Sequence, residues 1–243
     1  MSAPDAAFAV IPARAHSSRF PFKVIAPILN KPMIQHVWEN ALLAESLSGV
    51  MIAVDNEVVA EVVRGFGAKV VMTPELPSGS DRVAFVAKDI AAEFIINIQG
   101  DEPLLPPEPI DLLVEALKNH PEASISTLAV KMKCPETLKN PNAVKVVLNQ
   151  KNEALYFSRQ PIQIDPDGTY LKHIGIYGYR REALMKFCSL PQGKLENTEK
   201  LEQLRALENG MKIQVVEIKM DTIAVDIPED LKKVEMYLKE RNL

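Results

Sequence analysis

Apolar runs of strand length alternate with amphipathic helical segments through the first half of this chain, and that alternation restricts the fold to a parallel sheet covered by helices. Phe8-Ala9-Val10-Ile11 reads as a buried strand that stops at Pro12. Residues 32–45 read as a helix with Ile34, Val37, Trp38, Ala41 and Leu42 on one face. A strand over 49–54 precedes a helix over 56–66, for which Asp55 or Asn56 supplies the cap. A strand over 69–72, a helix from Ser80 or Asp81 to about residue 92, and a strand over 94–98 complete the alternation.

The middle of the chain breaks this rhythm. Residues 124–130, 143–148, 154–158 and 173–179 are β-like runs with little helix between them, which predicts a partly antiparallel lobe at about 124–195. A helix over 198–208 closed by Gly210, a strand over 213–218 and a helix from Pro228 to the end return to alternation. No linker separates independent domains, so 1–243 reads as one domain carrying that lobe.

Chemistry enters at the strand ends. After the first strand come Arg14, Ser17, Ser18, Arg19 and Lys23, a loop that grips phosphate with side chains because it lacks the glycines of a backbone cradle. A solvated basic loop is the plainer alternative. Ligands of open α/β sheets sit outside the carboxyl ends of the strands, where this loop leaves. The fourth strand runs into Gln99-Gly100-Asp101-Glu102-Pro103, which presents a carboxylate at the same edge, with a glycine allowing an unusual turn. Magnesium takes one or two carboxylates together with phosphate oxygens, so Asp101 needs a partner. Asp226 is a candidate, against the simpler reading that it caps the last helix.

Ser78-Gly79-Ser80-Asp81-Arg82 enters a helix, where backbone donors and an arginine suit a base edge or a phosphate. Arg159 ends an apolar run and suits two-point pairing with a carboxylate. His173, Tyr177 and Tyr179 alternate onto one strand face, which suits a polyhydroxylated ligand or a lobe surface. Glu199, Glu202 and Gln203 share a helical face by three- and four-residue spacing, an arrangement that is more often simply solvated.

Composition sets outer bounds. A net charge of -4 argues against a general nucleic-acid binder. Cys134 and Cys188 lie far apart without metal-ligand spacing and suit a reducing compartment. No apolar run approaches the ~20 residues of a membrane span. The expectation is a cytoplasmic protein with no membrane insertion.

These residues resemble the CMP-Kdo synthetase family, the 3-deoxy-manno-octulosonate cytidylyltransferases. The resemblance runs over nearly the whole chain: Ile11-Pro12-Ala13-Arg14 with Ser18-Arg19, Asn30-Lys31-Pro32-Met33-Ile34, Ser78-Gly79-Ser80-Asp81-Arg82 and Gln99-Gly100-Asp101-Glu102-Pro103. It continues through Asn142-Ala143-Val144-Lys145, Ala154-Leu155-Tyr156-Phe157-Ser158-Arg159, the strand from His173 to Tyr179, Leu201-Glu202-Gln203-Leu204-Arg205 and Val225-Asp226 with Pro228-Glu229-Asp230.

The resemblance implies a Rossmann-like α/β fold with an added lobe, a homodimer, and transfer of CMP from CTP to the 2-keto sugar acid Kdo for lipopolysaccharide assembly. It further implies Mg2+ on Asp101 and Asp226, and catalysis by Arg14, Arg19, Lys23 and Asp101. Nucleotide binding falls to Arg14, Ser18, Arg19, Lys23, Ser78, Gly79, Ser80, Arg82 and Gln99. Sugar binding falls to Gln99, Arg159, His173, Tyr177, Glu202 and Gln203. The rivals are the same reaction on 8-amino-Kdo or another 2-keto sugar acid, and a nucleotide-binding protein that has lost turnover.

Three positions depart from the family pattern. Phe22 stands where glycine is usual before Lys23, Ser80 replaces a usual threonine, and Ile227 stands where threonine is common. Phenylalanine is costly at a positive φ, so the sequence predicts a rearranged loop with Phe22 at ordinary angles.

Overall fold

A computed structural model describes residues 6–15 and 20–240. The contacts divide the chain into two units, Met1–Asp111 with Thr222–Leu243, and Leu112–Asp221.

The first unit is built on β1 (Ala7–Ala13), a small hairpin of β2 (Pro27–Ile28) and β3 (Lys31–Pro32), α1 (Met33–Leu42), β4 (Leu47–Val54), α2 (Glu57–Gly65), β5 (Val70–Met72), α3 (Gly79–Ala87) and β6 (Phe94–Asn97). β1 pairs in parallel with both β4 and β6, and β4 pairs in parallel with β5. The spatial order β6-β1-β4-β5 therefore reverses at β1, where the chain first builds outward and then returns to the other side. That reversal is the topological switch point at which open α/β sheets hold their ligands.

β1 continues through Pro12 to Ala13 instead of stopping at the proline. Val10 O accepts from Ile98 N, so Pro12, two residues on, turns its missing N–H to the same side, past the end of β6. α2 is capped by Asn56, whose side chain accepts from Val58 N. α3 begins at Gly79, one residue earlier than expected. Its cap is Ser78, which accepts from Asp81 N and donates to Asp81 Oδ2.

The chain crosses to the second unit within α4 (Pro107–Asn119), a helix the sequence reading left out although Ile110, Leu113, Val114 and Leu117 follow helical spacing. Then come β7 (Ile125–Met132), α5 (Pro135–Lys139), β8 (Lys145–Leu148), β9 (Ala154–Ser158), β10 (Tyr170–Arg180), α6 (Arg181–Ser189), α7 (Lys194–Glu199), α8 (Gln203–Glu208) and β11 (Ile213–Ile218). β10 runs antiparallel to β7 and β8, β8 antiparallel to β9, and β11 parallel to β7. The helix expected over 198–208 is two helices, because Lys200 adopts left-handed angles (φ 55, ψ 44) that no helix continues through.

After Asp221 the chain rejoins the first unit and ends in α9 (Pro228–Glu240). Val225, Val234 and Leu238 pack with Ile28 and Met33 in one buried cluster. The small hairpin thereby anchors the last helix, and with it the segment that carries Asp226.

Candidate active site

At the switch point, the loop after β6 runs against the end of β1. A Cβ on Gly100 would lie 3.1 Å from Pro12 O and 3.0 Å from Ile34 Cδ1. The glycine is there for this close approach and not for a special turn, since the positive-φ glycines among the described residues are Gly67, Gly168 and Gly210. A Cβ on Gly79 would meet Pro12 Cγ at 3.6 Å and Gln99 Oε1 at 4.0 Å, so the start of α3 faces the same strand ends. Gln99 Nε2 donates to Asn97 Oδ1 at 3.2 Å, which fixes its amide there. Ser80 is buried beneath this helix start.

Two carboxylates and one ammonium meet here. Lys23 Nζ donates to Asp101 Oδ2 at 2.7 Å and lies 3.7 Å from Asp226 Oδ1. Asp226 reaches this point because Val225 is fully buried and its N–H donates to Asp101 O at 2.9 Å. Asp230, in the first turn of α9, reaches back so that its Oδ2 accepts from both Asp226 N and Ile227 N, which holds the segment before the helix. The Asp226 carboxylate faces Lys23. Two carboxylates sharing one cationic partner match a magnesium site that draws its other ligands from phosphate and water. Among the described residues no three His, Cys, Asp or Glu groups converge to build a complete protein cage.

The expectation for Phe22 is corrected by the structure. Phe22 takes φ 55 and ψ 23, the left-handed region that a glycine enters cheaply. Its N–H donates to Ala15 O at 2.9 Å and its carbonyl accepts from Ile25 N at 3.0 Å, so the backbone is pinned on both sides. Those two bonds enforce angles the side chain disfavours. Phe22→Gly should therefore leave the KM for CTP within about two-fold of the parent, because Lys23 keeps its backbone. Its stability should change by less than about 1 kcal/mol, as relief of left-handed strain is offset by a freer unfolded chain. Steady-state kinetics and a melting curve check both, and a large change in KM would show that the ring itself touches substrate.

Of the remaining loop residues, Ser18 and Arg19 lie outside the described residues. Arg14 is partly buried, and its charge acts on Arg82. Arg82 is only 1% exposed. It donates from Nη2 to Asp55 Oδ2 at 2.7 Å and from Nη1 to Thr73 Oγ1. Burial pulls this guanidinium below its ordinary value, Asp55 opposing and Arg14 adding to the effect. Asp55 was considered in the sequence only as a helix cap. Its position at the carboxyl end of the second strand was the available signal.

The second unit gathers its own polar set. Arg159 donates from Nε to Glu199 O at 2.9 Å, from Nη1 to Pro141 O at 3.0 Å and from Nη2 to Lys200 O at 3.3 Å. It braces the break between α7 and α8 with three of its five N–H groups. The Glu199 carboxylate accepts from Arg159 N at 2.8 Å and from Tyr156 OH at 3.2 Å. It therefore faces β9 and shares no helical face with Gln203, correcting the spacing argument. Lys145, 0% exposed, donates to Ala143 O at 2.7 Å, Arg159 O at 2.6 Å and Asn140 O at 3.2 Å. Burial lowers its pKa, with Glu199 opposing. A lysine inside the apolar run 143–147 was the sequence signal for it.

His173, Tyr177 and Tyr179 do form a row, with ring centroids 5.5 Å and 5.9 Å apart. Their strand bulges between Ile174 and Tyr177. Burial raises the Tyr177 pKa, and the charge of Glu202 adds to it. Glu202 leads into α8, and Gln203, its first residue, is buried.

His173 Nε2 bonds Thr127 Oγ1 at 2.9 Å, and burial drives its pKa from 6.5 down to about 3. The unfolded chain then takes up this proton near pH 6.5 and the folded chain only near pH 3. Between those values the unfolded state binds more protons, so acid removes stability, by at most about 1.4 kcal/mol per pH unit. Denaturation midpoints at pH 7, 6 and 5 should fall less steeply in His173→Gln than in the parent. Equal slopes would show that the imidazole titrates normally.

Comparison with known proteins adds names to this geometry. The family described as cytidylyltransferase matches residues 8–213. A 3-deoxy-manno-octulosonate cytidylyltransferase of Solibacter usitatus is 48% identical over 235 residues, covering 95% of this chain and 93% of the relative. An 8-amino-3,8-dideoxy-manno-octulosonate cytidylyltransferase of Shewanella baltica is 44% identical over 237 residues, covering 94% and 97%. A solved CMP:2-keto-3-deoxy-manno-octonic acid synthetase complexed with CTP superposes with a TM-score of 0.92 at 39% identity, covering 97% of this chain and 99% of its own.

Proposed function

The chain belongs to the cytidylyltransferase family, and from that premise we propose that it transfers CMP from CTP to 3-deoxy-manno-octulosonate, releasing pyrophosphate. The observation that carries the reading is the meeting of Lys23, Asp101 and Asp226 at the switch point of the sheet. In the reaction the anomeric hydroxyl oxygen bonds to the α-phosphorus, the bond to the bridging oxygen breaks, and the hydroxyl proton is released to water. Pyrophosphate leaves with the electron pair of the broken bond.

Each residue set has a part in that step. Arg14, Arg19 and Lys23 grip the triphosphate and offset charge growing on the leaving group. Gln99 and the start of α3 position the nucleotide, the positive end of the helix dipole favouring phosphate there. Arg159, His173, Tyr177, Glu202 and Gln203 receive the sugar acid, Arg159 pairing with its carboxylate. Asp101 and Asp226 would hold Mg2+, which when bound supplies positive charge to the phosphate oxygens. The reading extends to a homodimer working in the cytoplasm, where CTP is supplied, on the route to lipopolysaccharide. No described helix is long and apolar enough to cross a membrane.

One observation keeps a second sugar in view, since the Shewanella baltica relative, at 44% identity, falls within the 41% to 48% of relatives named for the parent sugar. Pyrophosphate release with CTP against Kdo, 8-amino-Kdo and a nonulosonate tests the reading. A dominant kcat/KM for Kdo supports it, and a dominant value for the amino sugar moves the assignment. Release with no sugar acid of the panel, despite CTP binding, would leave a binding protein.

A further inference from the structure

We propose that Asp55, with its buried partner Arg82, is a positioning residue that sets where the backbone flanking Arg14 and Lys23 presents these two cations. The argument rests on the CTP-binding role given to that loop above. Both oxygens of one carboxylate are committed. Asp55 Oδ1 accepts from Ala15 N at 3.0 Å, and Oδ2 accepts from Arg82 Nη2 at 2.7 Å. Arg82 is fixed in turn by Thr73 Oγ1, and Thr73 is tied back to the end of β4 through its N–H, 2.8 Å from Val54 O. The chain of contacts thus runs from the sheet, through a buried guanidinium, to one backbone N–H in the loop.

That N–H belongs to the residue on which the loop closes. The carbonyl of the same Ala15 accepts from Phe22 N at 2.9 Å, and Lys23 follows immediately. Ala15 is therefore held at its N–H by Asp55 and at its carbonyl by Phe22, and is itself 2% exposed. Arg14 precedes this anchor and Lys23 follows its closing bond, so both cations leave from backbone whose place Asp55 decides. The sequence reading aimed Arg82 at the nucleotide. Its 1% exposure and paired η nitrogens give it a role one contact removed, acting through Asp55.

The chemistry of the carboxylate is specific to this task. Only an ionised side chain offers two acceptor oxygens while neutralising a buried guanidinium. Asparagine has one acceptor and one donor, so it must surrender either Ala15 N or Arg82. Displacing Arg14 and Lys23 by about 1 Å costs their alignment on the phosphates, a misplacement that can lower rates on the order of a hundred-fold.

The test is Asp55→Asn beside the double variant Asp55→Asn/Arg82→Gln, which removes the stranded buried charge. CTP binding is measured calorimetrically without sugar, then KM and kcat by pyrophosphate release. The expected result is a Kd and KM for CTP raised about ten-fold or more in both variants. The KM for the sugar acid should stay within about two-fold, a split that general loss of structure does not give. CTP affinity at the parent's level in a folded variant would overturn the proposal, and so would equal losses for CTP and sugar. Failure of both variants to fold would also overturn it, by showing that the pair serves the whole unit. Direct CTP binding separates this from the proposed function: a parent protein that binds CTP but releases no pyrophosphate refutes the reaction, while the Asp55 comparison still stands on the binding data.

Discussion

Asp101→Asn should lower kcat by about three orders of magnitude, the consequence of losing several kcal/mol of charge stabilisation at the reacting phosphate. Asp101 is one of two carboxylates around the Lys23 ammonium, at 2.7 Å where Asp226 stands at 3.7 Å. Asparagine keeps the shape and one acceptor for Lys23 but removes an anionic ligand from the proposed Mg2+ site. The fold should survive. It is the main-chain oxygen of Asp101, and not its side chain, that accepts from Val225 N and ties in the last segment. The side chain itself is 30% exposed. Pyrophosphate release at saturating CTP and magnesium, with a melting curve alongside, gives the answer. A kcat near the parent's under those conditions removes Asp101 from the metal role.

The largest effect on stability is expected at Arg205→Met. Arg205 donates to both oxygens of Glu196, from Nε at 2.8 Å and from Nη2 at 2.6 Å. The two side chains are 7% and 8% exposed. The guanidinium also lies over the Phe187 ring, 4.9 Å from its centroid. Methionine keeps much of the packing but strands a buried carboxylate, at a cost of about 3–5 kcal/mol. For a chain of this size that is a fall in Tm of roughly 10 °C or more. Adding Glu196→Gln should recover a good part of the loss, because the stranded charge is then gone. A fall of less than about 2 °C in the single variant would mean that water or a shifted neighbour already satisfies Glu196.

The site could be read in the sequence only as far as local chemistry reaches. Arg14, Lys23, Gln99 and Asp101 stand at the ends of apolar strand runs, and a parallel sheet must present such ends together. The strand ladder over 213–218 was likewise visible as an apolar run and appears at those residues. Asp55 was read only as a helix cap and Lys145 only as part of a resembling segment, because the importance of each comes from distant partners. Ala15 is 40 residues from Asp55, and Arg159 is 14 from Lys145. Periodicity also misjudged the segment around Lys200, where a helical pattern runs across a left-handed residue. The three bonds from Arg159 to surrounding carbonyls hold that break from outside the segment.

Phe22 marks the boundary between the two kinds of information. The sequence determined the class of fold and pointed to a phosphate-binding edge, because apolar period and strand-end chemistry are local properties that persist in any compact arrangement of the chain; the reaction itself entered only with the family resemblance. It could not determine the angles of Phe22, because intrinsic preference argues against the left-handed region by only about 1–2 kcal/mol. Two hydrogen bonds supplied by Ala15 and Ile25 outweigh that preference once the loop has closed. The same holds for Arg82 and Asp226, one drawn into a buried pair and the other facing Lys23. A side chain's partner depends on which backbone groups the tertiary structure has already satisfied, and only the folded chain decides that.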